Sequence, residues 1–158
     1  MTRLTKRFGL CLALAFALLP LLAVGSQHGK PQGKNQVFKG VVVSLEQLLA
    51  KENIKLDPEA ASLMVLQTDD GKVFPLVRDG GSRMFFKDKR LLDRPMRLTA
   101  QPVAKGSFLQ VVRVQSYVKD QLCDVYYWCE ICAIRSHELG ICDCCGGPTE
   151  LREVPIKE

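Results

Sequence analysis

Six of the chain's seven cysteines lie within the 23 residues from Cys123 to Cys145, and this bunching constrains the fold more than any other feature. Cys129 and Cys132 form one Cys-x-x-Cys pair. Cys142 and Cys145 form a second, with nine residues between the pairs. Two intervening residues let a tight turn aim both sulfurs at one ion ~2.3 Å away. Gly146, directly after the second pair, has no Cβ and admits the positive φ that such a turn uses. Two pairs complete a tetrahedral set, so Cys129, Cys132, Cys142 and Cys145 are the expected metal ligands. All-thiolate sites select zinc or iron over calcium or magnesium. Zinc is expected as the structural ion, with iron the alternative, because no redox partner is recognisable in the chain.

Disulfides are the competing use of clustered thiols. Bridges confined to one short loop remove little entropy from the unfolded chain, and Cys144 and Cys145 are direct neighbours. Metal is therefore expected over disulfides. Cys123 and Cys144 are left over, and Cys144 is either a free thiol beside the site or a substitute for Cys142. His137, between the pairs, is a substitute ligand or a surface residue in a short turn. Cys129-Glu-Ile-Cys132 has the spacing of a thioredoxin-like motif, but that chemistry requires a βαβ context that the sequence does not show. With His28 and His137 the chain's two histidines, there is little basis for a catalytic triad. A non-enzymatic protein is expected.

The N-terminus carries its own pattern. Arg3, Lys6 and Arg7 precede an apolar run from Phe8, and Ala23-Val-Gly25 offers small residues at its exit, the arrangement of a secretory signal. The run to Val24 is 17 residues and is interrupted by Gly9 and Pro20. That is at the short limit for crossing a hydrocarbon core of ~30 Å. Residues 1–25 are therefore expected to be a signal peptide and the protein to be exported, periplasmic or extracellular. Membrane contact is expected only through this segment if it is retained. The whole chain has 22 basic and 17 acidic residues, and three of the basic ones and no acidic ones lie in 1–25. The remainder is close to neutral, which argues against nucleic acid as a partner.

Residues 26–36 have almost no apolar side chains and read as a flexible linker. From Val37 the pattern is β-rich. Val37 to Leu45 reads as a strand, and Glu46 to Lys51 as a short helical excursion. Asp57-Pro58-Glu59 is a turn with proline at a helix start. Ser62 to Thr68 and Lys72 to Val77 flank Asp69-Asp70-Gly71, a strong hairpin signal. Ser82 is placed to cap a short helix through Phe85, Phe86 and Leu91 that ends before Pro95. Met96, Leu98, Ala100 and Pro102 alternate with polar residues as in a half-buried strand. Phe108 to Val118 supplies a long final strand. Arg78, Arg83, Lys87, Lys89, Arg90, Arg94 and Arg97 enrich this region in positive charge, but Asp79, Asp88 and Asp93 interleave with them, as on a solvated surface. Phe85 and Phe86 are expected as core plugs rather than as platforms for bases.

The order from Val37 to Val118 resembles the OB-fold, a five-stranded Greek-key barrel with one short helix between its third and fourth strands. The cysteine segment resembles zinc ribbons and the rubredoxin-type double knuckle. The resemblance implies the four ligands named above, with a compact loop between the knuckles. A looser similarity, through Tyr127-x-Cys129, Cys145-Gly146-x-Pro148 and Leu151, is to the heavy-metal-binding module of bacterial metal-efflux adaptors. That family begins its motif with Cys-Pro-Met-His, where this chain has Cys129-Glu-Ile-Cys132.

The expected organisation is a mainly β protein, with an OB-like barrel over 37–120 and a zinc-ribbon tail over 121–158. The expected function is that of an exported binding or scaffold protein with structural zinc, whose partner is a protein or small ligand. The alternative is an envelope protein that captures soft metals such as zinc or copper.

Overall fold

The computed structural model of the chain describes residues 33–156. The expected signal peptide, His28 and most of the expected linker lie outside these residues. No helix among the described residues is long and apolar enough to cross a membrane.

β1 (Gln36–Ser44) is rich in valine, whose branched side chain packs well on a pleated surface. Its end is set by Ser44, whose hydroxyl accepts from the Gln47 amide at 3.0 Å and caps α1 (Leu45–Ala50). Pro58 starts α2 (Pro58–Ala61) at the position where a missing N–H costs nothing. β2 (Met64–Thr68) and β3 (Val73–Pro75) form the expected hairpin, closed by the Thr68 amide on the Lys72 carbonyl at 2.8 Å. Gly71 takes φ +81° at the tip, a value that glycine adopts without a Cβ clash.

α3 (Arg83–Lys87) and a 3-10 turn (Lys89–Leu91) follow. β4 (Pro95–Val103), β5 (Phe108–Val118), β6 (Gln121–Cys129), β7 (Ile134–Ser136) and β8 (Glu150–Pro155) complete the fold. Among the described residues the eight strands form one antiparallel sheet. Its order is β3-β2-β1-β4-β5-β6-β7, with β8 also paired to β6. β1 runs between β2 and β4, and Gly40 is paired to both Thr68 and Met96. A Cβ there would lie 2.1 Å from the Gln67 carbonyl oxygen, so only glycine lets the three strands coil so closely.

One core lies on the inner face of the sheet. Met96, Leu98 and Ala100 enter it from β4, as their alternation predicts. Leu109, Val111 and Val114 enter from β5, where the register shifts opposite Thr99/Ala100. That bulge puts Val112 and Arg113 together on the outside and breaks the simple alternation. Met84, Phe85 and Leu91 plug the core from the β3–β4 connection. Phe86 is only half-buried, with the Arg78 guanidinium 5.0 Å from its ring centre.

The expected five-stranded barrel with one helix needs correction. The sheet is open: just past β3, Leu76 meets Leu109 of β5 at a single parallel bridge, with the Val77 amide donating to the Leu109 carbonyl. β3 has three residues, too few for a ladder that would close the sheet. Three short α-helices replace the single expected one. Phe108–Val118 is not the last strand, because the chain turns at Lys119-Asp120 and returns as β6, paired to β5. Val125 and Tyr127 of β6 join the same core, so the cysteine segment grows out of the sheet.

Candidate metal centre

The centre is built by two turns of the same design. β6 ends at Cys129, and the chain reverses into β7 with the Ala133 amide donating to the Cys129 carbonyl at 2.9 Å. In the second turn the Gly146 amide donates to the Cys142 carbonyl at 2.8 Å. The residue after the second cysteine is left-handed in both, Ala133 at φ +53° and Gly146 at φ +70°. The spacing of two residues thus closes each turn with one backbone bond and turns both sulfurs inward. The second turn is fastened by an isolated bridge between Ile141 and Pro148, and the Gly147 amide donates to Cys145 Sγ at 3.4 Å.

The Sγ atoms of Cys129, Cys132, Cys142 and Cys145 lie within 4.8 Å of one another. Four sulfurs at ~2.3 Å from one ion would stand about 3.8 Å apart, so a modest contraction completes a tetrahedron. Cys129 and Cys145 are already 3.5 Å apart, far beyond the ~2.05 Å of a disulfide. All six cysteines among the described residues are free thiols. The donor set and its spacing therefore fit a metal ion, and thiolate donors suit a thiophilic one.

The thiols are unequal. The Cys145 and Cys144 amides hold the Cys142 thiol down at about 7 against the effect of burial. Cys132 is pushed up by the Cys144 and Cys145 thiols beside it. At Cys129 the Cys132 amide acts downward, but burial and the Cys142 and Cys145 thiols outweigh it. Cys129 and Cys132 thus resist gathering negative charge beside Cys142. A cation among them removes that resistance, so metal uptake releases protons. Cys129 and Cys142 are buried, Cys132 is half-buried and Cys145 is exposed, which leaves one side of the centre open to solvent.

Cys144 and His137 are both exposed and stand outside the four-sulfur group. His137 lines an open cleft beside Cys142, with Arg83 and Glu138. Cys123 is buried on β6, its thiol on the Gln121 carbonyl.

Several supports were not evident in the sequence. Glu138, in the loop between the turns, pairs with Arg83 and Lys87 of α3 at 3.3 and 2.9 Å. Leu139 packs on the core. Buried Thr149 holds the loop closed, its amide donating to the Gly140 carbonyl at 3.0 Å and its hydroxyl to the same oxygen at 3.1 Å. Tyr127, two residues before the first ligand, donates its hydroxyl to Asp88 Oδ2 at 2.8 Å. Trp128 points the other way and packs edge-on to Tyr126, so Tyr127 alone of the two carries the link to the core. Only Ala133 had a local signal, being the residue after the second cysteine of its pair. A left-handed alanine is strained by roughly 1 kcal/mol relative to glycine. Ala133→Gly is accordingly expected to stabilise the turn by about 0.5–1 kcal/mol, read as a rise in Tm of the metal-loaded protein.

No protein-family model, curated protein sequence or solved structure matches this chain. Fold and site together define its class: a mainly β protein with a C-terminal cluster of four cysteines positioned to bind a metal.

Proposed function

We propose that the protein is an exported, non-enzymatic binding or scaffold protein whose C-terminal segment is a zinc ribbon. The observation that carries this reading is the convergence of the four sulfurs on one point from two matched turns. Zinc is the ion because a closed tetrathiolate folds its turns and asks for no electron-transfer partner. The first five strands form an incompletely closed OB-like unit. The strand order β3-β2-β1-β4-β5, the placement of α3 between β3 and β4, and the Leu76–Leu109 bridge support that assignment. Its partner is a protein or small ligand rather than nucleic acid. Arg83, Lys87, Arg90 and Arg94 are each paired to an acid among the described residues, which offsets much of the positive charge there.

The test is native mass spectrometry of the exported protein as isolated, with no metal added, before and after reduction. One zinc per chain is expected. A chain carrying three disulfides and no metal overturns the reading, and a red chromophore with bound iron overturns the choice of ion. The exposure of Cys145 favours a second reading, in which the centre captures and passes on soft metals. Chelation separates the two: a structural site keeps its ion against a mild chelator, whereas a handling site gives it up and stays folded.

A further inference from the structure

Lys39 of β1 and Arg97 of β4 stand directly opposite each other in the sheet. Met96 and Leu98, on either side of Arg97, enter the core, so both cations belong to the outer face. Like charges in this relation repel and weaken the strand pair. The row continues through Gln115 of β5 to Asp124 of β6. Asp124 is the acid of that row, but its oxygens are committed elsewhere. Arg113 donates to them at 2.8 and 2.5 Å, and the Gln115 side-chain amide donates at 3.0 Å.

Arg97 differs from the other arginines among the described residues. Arg83, Arg90, Arg94, Arg113 and Arg152 each form an ion pair. Arg78 and Arg135 lie over aromatic rings, at 5.0 and 4.2 Å from their centres. Arg97 has neither kind of partner, and its Nε is shielded from solvent without a hydrogen bond among the described residues. A buried donor left in that state is costly, and native folds nearly always satisfy it. Arg97 and Lys39 line a cleft of about 740 Å³ together with Tyr117 and Gln121. Leu122 and Ile156 give the cleft apolar surface, and Asp120 also lines it.

We propose that Arg97 and Lys39 form a binding site for a phosphate group, carried by a ligand that lies in this cleft. The guanidinium offers Nε and a second N–H in a planar fork that matches two oxygens of one phosphate. Lys39 supplies the second positive charge. The pair thereby balances the charge of about −2 that a phosphate monoester carries near neutral pH. A carboxylate, with a single charge, leaves one cation unbalanced. The repulsion between two facing cations becomes a clamp once a dianion lies between them. None of the cleft's residues lies between Cys129 and Cys145, so the site does not depend on the metal reading.

The test is a titration of the full-length, nitrogen-15-labelled chain with inorganic phosphate at constant ionic strength. The Arg97 Nε–H resonance and the backbone amides of β4 and Tyr117 are followed. Saturable shifts at these positions are expected. Arg97→Gln and Lys39→Gln are each expected to weaken phosphate binding about tenfold, as loss of one charge-assisted contact requires. Lys39 is exposed, so Lys39→Gln decides the matter if Arg97→Gln does not fold. Lys105→Gln, which removes a charge from the exposed turn between β4 and β5, is expected to bind as the parent does. Acetate at the same ionic strength is expected to give no saturation. Absence of saturation with phosphate, equal affinity in Lys39→Gln and the parent, or an equal response to acetate overturns the site and leaves the metal centre untouched. Phosphatidylcholine vesicles containing phosphatidic acid then distinguish the phosphate's source. Cosedimentation that Lys39→Gln abolishes assigns a lipid head group, and phosphate binding without cosedimentation assigns a soluble ester.

Discussion

Replacing Cys129 with serine, or stripping the metal-loaded protein with a strong chelator, is expected to melt residues 129–148 while the strands β1 to β5 stay folded. Beyond the Glu138 ion pairs, Leu139 on the core and the short β7 ladder, the segment has little to hold it. Cys129 and Cys142 are its buried hydrophobic residues, while Ile131, Ile134 and Ile141 are exposed. So short a segment cannot bury enough apolar surface to offset the entropy of ordering it. Binding of a structural zinc supplies an apparent ~10–16 kcal/mol in small modules, so its loss leaves the turns without their main stabilisation. The β1–β5 core, by contrast, contains Val42, Leu66, Leu98 and Leu109, each fully buried and none dependent on the centre. Hydrogen exchange resolves the two regions. Peptides within 129–148 should lose protection on chelation and those from β1, β4 and β5 should not. Uniform loss across the chain would mean that the metal holds the whole domain, and no change would mean that the turns fold without it.

The second large effect is expected at Asp88. Its carboxylate is buried, accepts from Tyr127 and from the Arg90 side chain, and caps the 3-10 turn through the Arg90 amide at 3.0 Å. Asp88→Ala leaves the Tyr127 hydroxyl buried without an acceptor and removes the cap, and is expected to cost about 2–4 kcal/mol in chemical denaturation. Tyr127→Phe leaves Asp88 paired to Arg90 and should cost roughly 1 kcal/mol. The pair also sets a pH window. Arg90 chiefly, and then Tyr127, hold the Asp88 carboxyl below its ordinary value despite burial. Its stabilisation is therefore present above the unfolded value of about 3.9 and is lost as pH falls through the folded value. Burial first, and Asp88 second, push the Tyr127 phenol up. That contribution is complete below about pH 10 and is lost as pH rises through the folded value. Stability should show a plateau bounded by these two limbs, and Asp88→Asn should flatten the acid limb.

Much of the architecture was legible because local physics dictated it. The β2–β3 hairpin followed from Asp-Gly, the β4 core residues from period two, and both cysteine turns from spacing. Sheet closure was not legible. It depends on whether β3 runs long enough past Pro75 to pair with β5, and one bridge at Leu76 settles it as open. β6 was missed because Cys123, Asp124 and the aromatics after it read as part of the cysteine segment, although their alternation of buried and half-buried positions is that of a strand. The partners of the basic residues were illegible for a different reason. Arg94 finds Glu153 at 2.6 Å and Arg83 finds Glu138, contacts that span more than 50 positions and exist only once the sheet has assembled.

The pairing of β8 with β6 has a consequence for how tightly the ion is held. Trp128 lies opposite Glu150, so the ladder joins the chain immediately before the first ligand to the chain shortly after the last. The two ends of the ligand loop are thereby fixed whether or not an ion is present. Most of the loop-closure entropy that a free peptide of this sequence would lose on gathering four sulfurs is lost already when the sheet forms. The sheet thus acts as a preorganising frame. It raises the effective concentration of one cysteine pair at the other, and so couples affinity for the ion to the integrity of an edge strand that never touches it.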